Sequence, residues 1–168
     1  MATTEEPQIR EKTSGPCVKQ FSVFLLNRVG ALLEIVRMLN ESDVHVLALN
    51  SQDSTDSALV RLVVSDPDAV ENIFDLNEIA YSISDILVVE MREVAVDLRK
   101  MLQCLLMAEV NIQVCYPLLL RPHGRSALAL HLDDSDCGWS VLAGEGFTIL
   151  NQTDLWREQS SLISMMRM

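Results

Sequence analysis

The chain has 168 residues, and 24 Asp+Glu against 13 Lys+Arg leave a formal net charge of −11. A pI near 4.6 argues against nucleic acid and anionic membrane surfaces as partners, because both require clustered basic side chains. With 49% hydrophobic residues there is ample material for a core, yet no apolar run approaches the roughly 18 residues that a spanning helix needs.

Phe21, Val23 and Leu25 alternate with less apolar positions and predict a first strand. Asn27-Arg28-Val29-Gly30 reads as a turn, and apolar residues at 32, 33, 35, 36 and 39 give Ala31 to about Ser42 a helical spacing. Val44–Asn50 predicts a strand, Ser51 to Ser57 a polar hairpin loop, and Ala58–Val64 the returning strand. Asp66-Pro67-Asp68 is a helix start, with an N-cap carboxylate, proline at the first helical position and acid in the first turn. That helix runs to about Phe74, and Ile79–Ser84 closes the half as a fourth strand.

The second half repeats the order. Ile86–Met91 predicts a strand and Val94–Ala108 a helix with Leu98, Met101, Leu102, Leu105 and Leu106 inward. Val110–Leu119 is a strand, Arg121–Arg125 a turn, Ser126–Leu132 a strand, Asp134–Leu142 a capped helix and Phe147–Gln152 the last strand. Asp43-Val44-His45-Val46 corresponds to Glu109-Val110-Asn111-Ile112 at a numbering offset of 66, which becomes 68 where Ala58–Val64 meets Ser126–Leu132. Such a small slip inside a hairpin is what a tolerated loop insertion looks like. The expected fold class is therefore α+β: two ferredoxin-like βαββαβ units, each an antiparallel four-stranded sheet with both helices on one face. Residues 1–18 are expected as an N-terminal tail, 19–84 and 85–156 as the two domains, and 157–168 as a C-terminal tail ending in Met165-Met166-Arg167-Met168.

Phe21–Leu26 followed by Asn27-Arg28-Val29-Gly30-Ala31-Leu32, at the head of the first of two such units, resembles tandem ACT domains. In that family the first strand ends in a polar-x-Pro-Gly-x-Leu turn, and this chain departs from it only at Val29, where proline is usual. The halves also look like the regulatory small subunit of acetolactate synthase. The resemblance implies a regulatory module that binds a small ligand, most often an amino acid, between paired units. It implies ligand contacts at Asn27, Arg28, Val29, Gly30, Ala31 and Leu32, a homodimer, and a biosynthetic enzyme as partner.

The chemistry of the turn points the same way. Gly30 stands at the start of the 31–42 helix, where exposed backbone N–H groups and the positive end of the helix dipole favour a carboxylate. The second unit lacks this arrangement: Val96 replaces Gly30, and Arg92-Glu93-Val94-Ala95-Val96-Asp97 places two carboxylates at the helix start. That turn is expected to be a degenerate site.

No Gly-rich phosphate loop, nucleophile–base signature or metal-spaced His/Cys set is present, so no catalytic residue, metal or cofactor is expected. An enzyme on a ferredoxin-like scaffold and an assembly module with a decayed ligand site are the alternatives. His45 and His131 read as half-exposed strand residues, His123 as a turn residue between Arg121 and Arg125, and Cys104 and Cys115 as core packing. The polar, acidic start Met1–Glu6 carries no signal-peptide apolar stretch, and with no disulfide pattern the expected location is the cytoplasm.

Overall fold

A computed structural model describes residues 17–53 and 57–156. The expected tails lie outside these residues, apart from Cys17 and Val18, and so does the tip of the first hairpin. Strand β1 (Val18–Leu26) leads into helix α1 (Ala31–Glu41), then β2 (Val46–Asp53), β3 (Ser57–Val64) and α2 (Pro67–Leu76). The long strand β4 (Tyr81–Met91) follows, then α3 (Val94–Met107), β5 (Ile112–Pro117), β6 (Ser126–Leu132), α4 (Ser135–Gly144) and β7 (Thr148–Leu150). Residues 152–156 are again helical.

The repeat is visible in the backbone itself. Asp43 and Glu109, equivalent in the two halves, both take positive φ after the first helix of their units, and the equivalent pair Glu78 and Gly146 do so after the second. The register breaks in β2 between Val46 and Ala48 and, at the matching place, in β5 between Ile112 and Val114. Helices α2 and α4 start alike: Asp66 accepts a hydrogen bond from the Ala69 N–H at 3.0 Å, and Asp134 accepts one from Cys137 at 2.9 Å.

Strand β4 is where the units join. Its first part, from Tyr81 to Ile86, pairs antiparallel with β1 and completes the first unit; from Leu87 it pairs with β6 and β7 as the opening strand of the second. The two strands expected at Ile79–Ser84 and Ile86–Met91 are thus one, because Ser84 and Asp85 are polar without being turn-forming here. The seven strands form one sheet of order β2-β3-β1-β4-β6-β5, with β7 beside β4.

Alternation along β4 sorts the core into layers. Leu87, Val89 and Met91 face α3 and α4, packing with Met101, Leu105, Leu130 and Leu142. In the first unit Phe21 and Val23 face α1 and α2, packing with Ile35, Leu39, Val70 and Phe74. Phe21, Phe74 and Tyr81 form an aromatic trio with ring centroids 5.5–5.9 Å apart, and burying each phenylalanine contributes on the order of 2–3 kcal/mol.

The helix-free face closes on itself. Ala48 on outer strand β2 bridges Leu118 beside the other outer strand, β5, and the Leu119 N–H donates to the Leu47 carbonyl at 2.8 Å. The sheet therefore wraps around a third core in which Val18, Leu47, Ala48, Val63 and Ile86 meet Tyr116, Ala127, Ala129 and Leu150.

Three sequence expectations are corrected by this packing. The loop expected from Ser51 to Ser57 is mostly strand, since β2 continues to Asp53 and β3 begins at Ser57. Leu102 and Leu106 are exposed, because α3 presents only Met101 and Leu105 fully to the sheet. Cys115 is exposed on β5, an outer strand whose bulge turns Val114 and Tyr116 inward. Cys104 is half-buried against the second-unit core, His131 is half-buried on β6 as expected, and His45, expected in a strand, is half-buried just before β2.

Candidate functional site

The turn from β1 into α1 is built by short-range hydrogen bonds. The Arg28 N–H donates to the Leu26 carbonyl at 2.8 Å, the Ala31 N–H to Arg28 at 3.3 Å, and the Glu34 N–H to Gly30 at 3.0 Å. Gly30 has φ 87°, in the left-handed region, and no heavy atom lies within 4 Å of where a Cβ would stand. Glycine is required there by backbone conformation rather than by crowding. No side chain of the N-cap residue covers the first amides of α1, so the N–H groups of Leu32 and Leu33 are left facing outward by helix geometry.

The six candidate residues divide in function. Ala31 is buried, Leu32 is half-buried against the first-unit core, and Val29 is fully exposed at the tip. Arg28 does not reach out for a ligand: its guanidinium makes a bidentate pair with Glu34 in the first turn of α1, one bond being 3.0 Å. Glu34 is held below its usual carboxylate range by that bond, and Arg28 is raised in turn. The Asn27 amide donates to Asp53 at 2.8 Å, tying the turn to the end of β2. Outward amides and two carboxylates, Glu34 and Asp53, thus stand around one turn. Neither carboxylate's part is readable in the sequence, because Asp53 arrives from the far end of another strand and Glu34 reads as an ordinary helix-surface acid.

The second turn is closed by the chain itself. Asp97 accepts hydrogen bonds from the Arg92 N–H at 2.7 Å and from the Glu93 N–H at 3.0 Å. These bonds, Glu93 first, lower the Asp97 pKa. A carboxylate of α3 therefore ties down the two amides that precede its helix, whereas Glu34, at the same place in α1, pairs with Arg28 instead. A shallow polar hollow of about 220 Å³ lies beside it, lined by Glu90, Arg92, Asp97, Lys100 and Glu145 among others.

His123 and Arg125 act inward. His123 Nδ1 lies 2.8 Å from one oxygen of Glu90, and Arg125 donates to the other at 2.7 Å. The Glu90 side chain is only 2% exposed, and although burial opposes its charge, these two partners hold its pKa below the usual value. His123 sits at φ 51° in a short 3-10 turn, Pro122–Gly124. Among the described residues no group of three His, Cys, Asp or Glu is placed to hold a metal ion, and no helix is long and apolar enough to cross a membrane.

A family model for the ACT domain pair matches residues 16–158. The chain belongs to the ACT domain pair family. Protein BT0572 from Bacteroides thetaiotaomicron is 26% identical to this ACT pair, with a TM-score of 0.76 over 83% of this chain and 96% of that one. The regulatory subunit of aspartate kinase from Thermus thermophilus, in its ligand-free form, has the same fold at 11% identity, with a TM-score of 0.53 over 79% and 95%. The aspartokinase alpha and beta subunits are similar at 16% identity and a TM-score of 0.50, over 74% and 88%. No curated protein matches the chain.

Proposed function

We propose that this ACT pair is a non-catalytic regulatory module that binds a small amino acid at the 27–32 turn. The observation that carries the reading is the first turn itself: Gly30 takes a left-handed conformation before the uncapped first amides of α1, with the carboxylates of Asp53 and Glu34 beside them, whereas the turn before α3 is tied down by Asp97. The turn offers an α-amino acid both of the partners it needs. Its carboxylate would lie on the amides at the positive end of α1, and its ammonium against Asp53 or Glu34. One ligand per chain follows. The two units are residues 19–84 and 85–156, and ligand acts by changing how units pack, with a coupling of a few kcal/mol at most.

The exposed apolar residues Phe24 and Leu26 on the first unit and Leu106 and Met107 on α3 suit a homodimer and contact with a regulated enzyme. The Thermus thermophilus relative, a regulatory subunit of aspartate kinase, supports a biosynthetic enzyme of the cytoplasm as that partner, acetolactate synthase being another candidate. An assembly module with a decayed site is the second reading, favoured by the closed turn at Asp97.

A thermal-shift screen with the twenty amino acids tests this. An amino acid at about 100 times its dissociation constant adds roughly 2.7 kcal/mol of stability. Gly30→Asp, which sets a carboxylate among the amides, should abolish the response. No shift with any amino acid would leave the assembly module as the reading.

A further inference from the structure

The helix face of the second unit carries a hollow of about 530 Å³ between α3 and α4. Cys104, Ala108 and Val141 are its half-buried lining, and Gln103 and Met107 stand exposed at its rim. Lys100 and Glu145 line it too, the Lys100 ammonium donating to the Glu145 carbonyl at 2.7 Å and lying 3.4 Å from its carboxylate. Met107 is 84% exposed and Leu106 beside it 74%, although α3 fully buries only Met101 and Leu105.

The first unit shows what the fold alone asks of this face. At the repeat offset of 66, Gln103, Leu106 and Met107 correspond to Arg37, Asn40 and Glu41, all exposed and polar. Cys104 stands where α1 has the longer Met38, and at the offset of 68 Ser140 and Ala143 replace Asn72 and Asp75 of α2. The second unit has thus lost charge from the rim and bulk from the lining, while both units pack their helices on the sheet in the same way. Exposed apolar residues where the same fold carries polar ones mark a contact surface.

Shape and charge both say what fits this surface. An exposed apolar side chain, Met107, stands at the rim of a largely apolar hollow, so one face holds a knob and a hole. A two-fold interface needs this, because a single patch must complement itself. Two copies of a chain of net charge −11 repel, and they approach closely only where charge is absent or cancelled. Among the residues lining the hollow the only charged side chains are Lys100 and Glu145, which pair with each other. A basic partner, drawn to the acidic surface elsewhere, gains nothing here.

We propose that the α3–α4 face of the second unit is the surface through which two copies of this chain associate. Met107 of each copy enters the hollow of the other, against Cys104, Ala108 and Val141, and the two α3 helices run antiparallel with Leu106 beside their crossing. Methionine suits this place, since its flexible thioether fills irregular gaps and interface cores are enriched in it. The dimer is the homodimer of the functional reading, and its formation does not depend on the amino acid. Phe24 and Leu26, on the first unit, stay uncovered in it.

Sedimentation equilibrium of the full chain without amino acid, over a concentration series, tests the proposal. A mass twice that of the 18.8 kDa chain is expected for the wild-type protein. Leu106→Asn with Met107→Glu places the first unit's residues at equivalent exposed positions, so the fold is kept. Together they should raise the dissociation constant at least about a hundredfold, since each contact is lost twice per dimer. Phe24→Ser should leave the dimer intact. In a mixture of isotope-labelled and unlabelled wild-type chains, nuclear Overhauser contacts from the Met107 methyl of one copy to the Val141 methyls of the other are the second readout. A monomeric wild-type chain, a dimer that survives the double substitution, or a dimer without those methyl contacts would each overturn it. A dimer lost only in Phe24→Ser would overturn this interface and keep the homodimer, and none of these results touches amino-acid binding at the 27–32 turn.

Discussion

Glu90 and Arg125 form an ion pair at 2.7 Å in which the carboxylate is buried and the guanidinium half-exposed. The second unit can bury an acid on its helix-free face because the β5–β6 connection folds back over it, bringing His123 as well as Arg125. At the equivalent position of the first unit stands Phe24, which is largely exposed. The two halves therefore share a fold but differ in what covers this face.

Removing Arg125 leaves a buried carboxylate with His123 alone. Arg125→Ala should destabilise the protein by about 2 kcal/mol, a value reduced from that of a fully buried pair because the arginine is partly solvated. Glu90→Gln, which keeps the shape and removes the charge, should cost about 1 kcal/mol. Urea denaturation with an unchanged m-value checks both.

The same pair fixes a pH dependence. The folded-state pKa of Glu90 is depressed, so its contribution is fully present above the ordinary carboxylate value of 4.5 and is lost as pH falls through the lower folded value. Below pH 4.5 the wild-type protein should lose stability faster than Glu90→Gln. Parallel loss in the two proteins would show that the Glu90 carboxyl has the same pKa folded and unfolded.

Much of this fold was legible from periodicity and caps. The α2 and α4 starts follow from Asp66 and Asp134, whose side chains need only a neighbouring amide close by in the chain. The joining of β4 was not, because pairing of Val18 with Ile86 and of Leu87 with Leu130 is decided by distant strands. Likewise Gly30 is readable, since a positive φ has a local sequence signature, whereas Asp53 acquires its role from a partner far along the chain, Asn27.

Gly30→Ala should cost about 1 kcal/mol, the usual penalty for a Cβ in the left-handed region, with no added cost from crowding because the space is open. Gly30→Asn should be milder, since asparagine tolerates that region. Equal stability of all three proteins by thermal denaturation would mean that the turn relaxes to another conformation.

Gly138 is the opposite case. A Cβ there would collide with the Cδ1 of buried Leu132, so Gly138→Ala should destabilise by roughly 1–3 kcal/mol despite the gain in helix propensity. Adding Leu132→Val should recover part of that loss, a coupling that a double-mutant cycle measures directly.

Asp97→Asn removes the charge that holds the Arg92 and Glu93 amides. A loss of about 1 kcal/mol is expected, as for other helix-start caps, with amino-acid binding at the first turn unaffected. Loss of that binding in Asp97→Asn would place the ligand at the second turn instead.

The most direct measurement is a calorimetric titration of the full chain with whichever amino acid gives the largest thermal shift. One site per chain is predicted in the wild-type protein, and none in Gly30→Asp. Two equivalent sites per chain, or binding that survives Gly30→Asp, would contradict an amino acid held at the 27–32 turn.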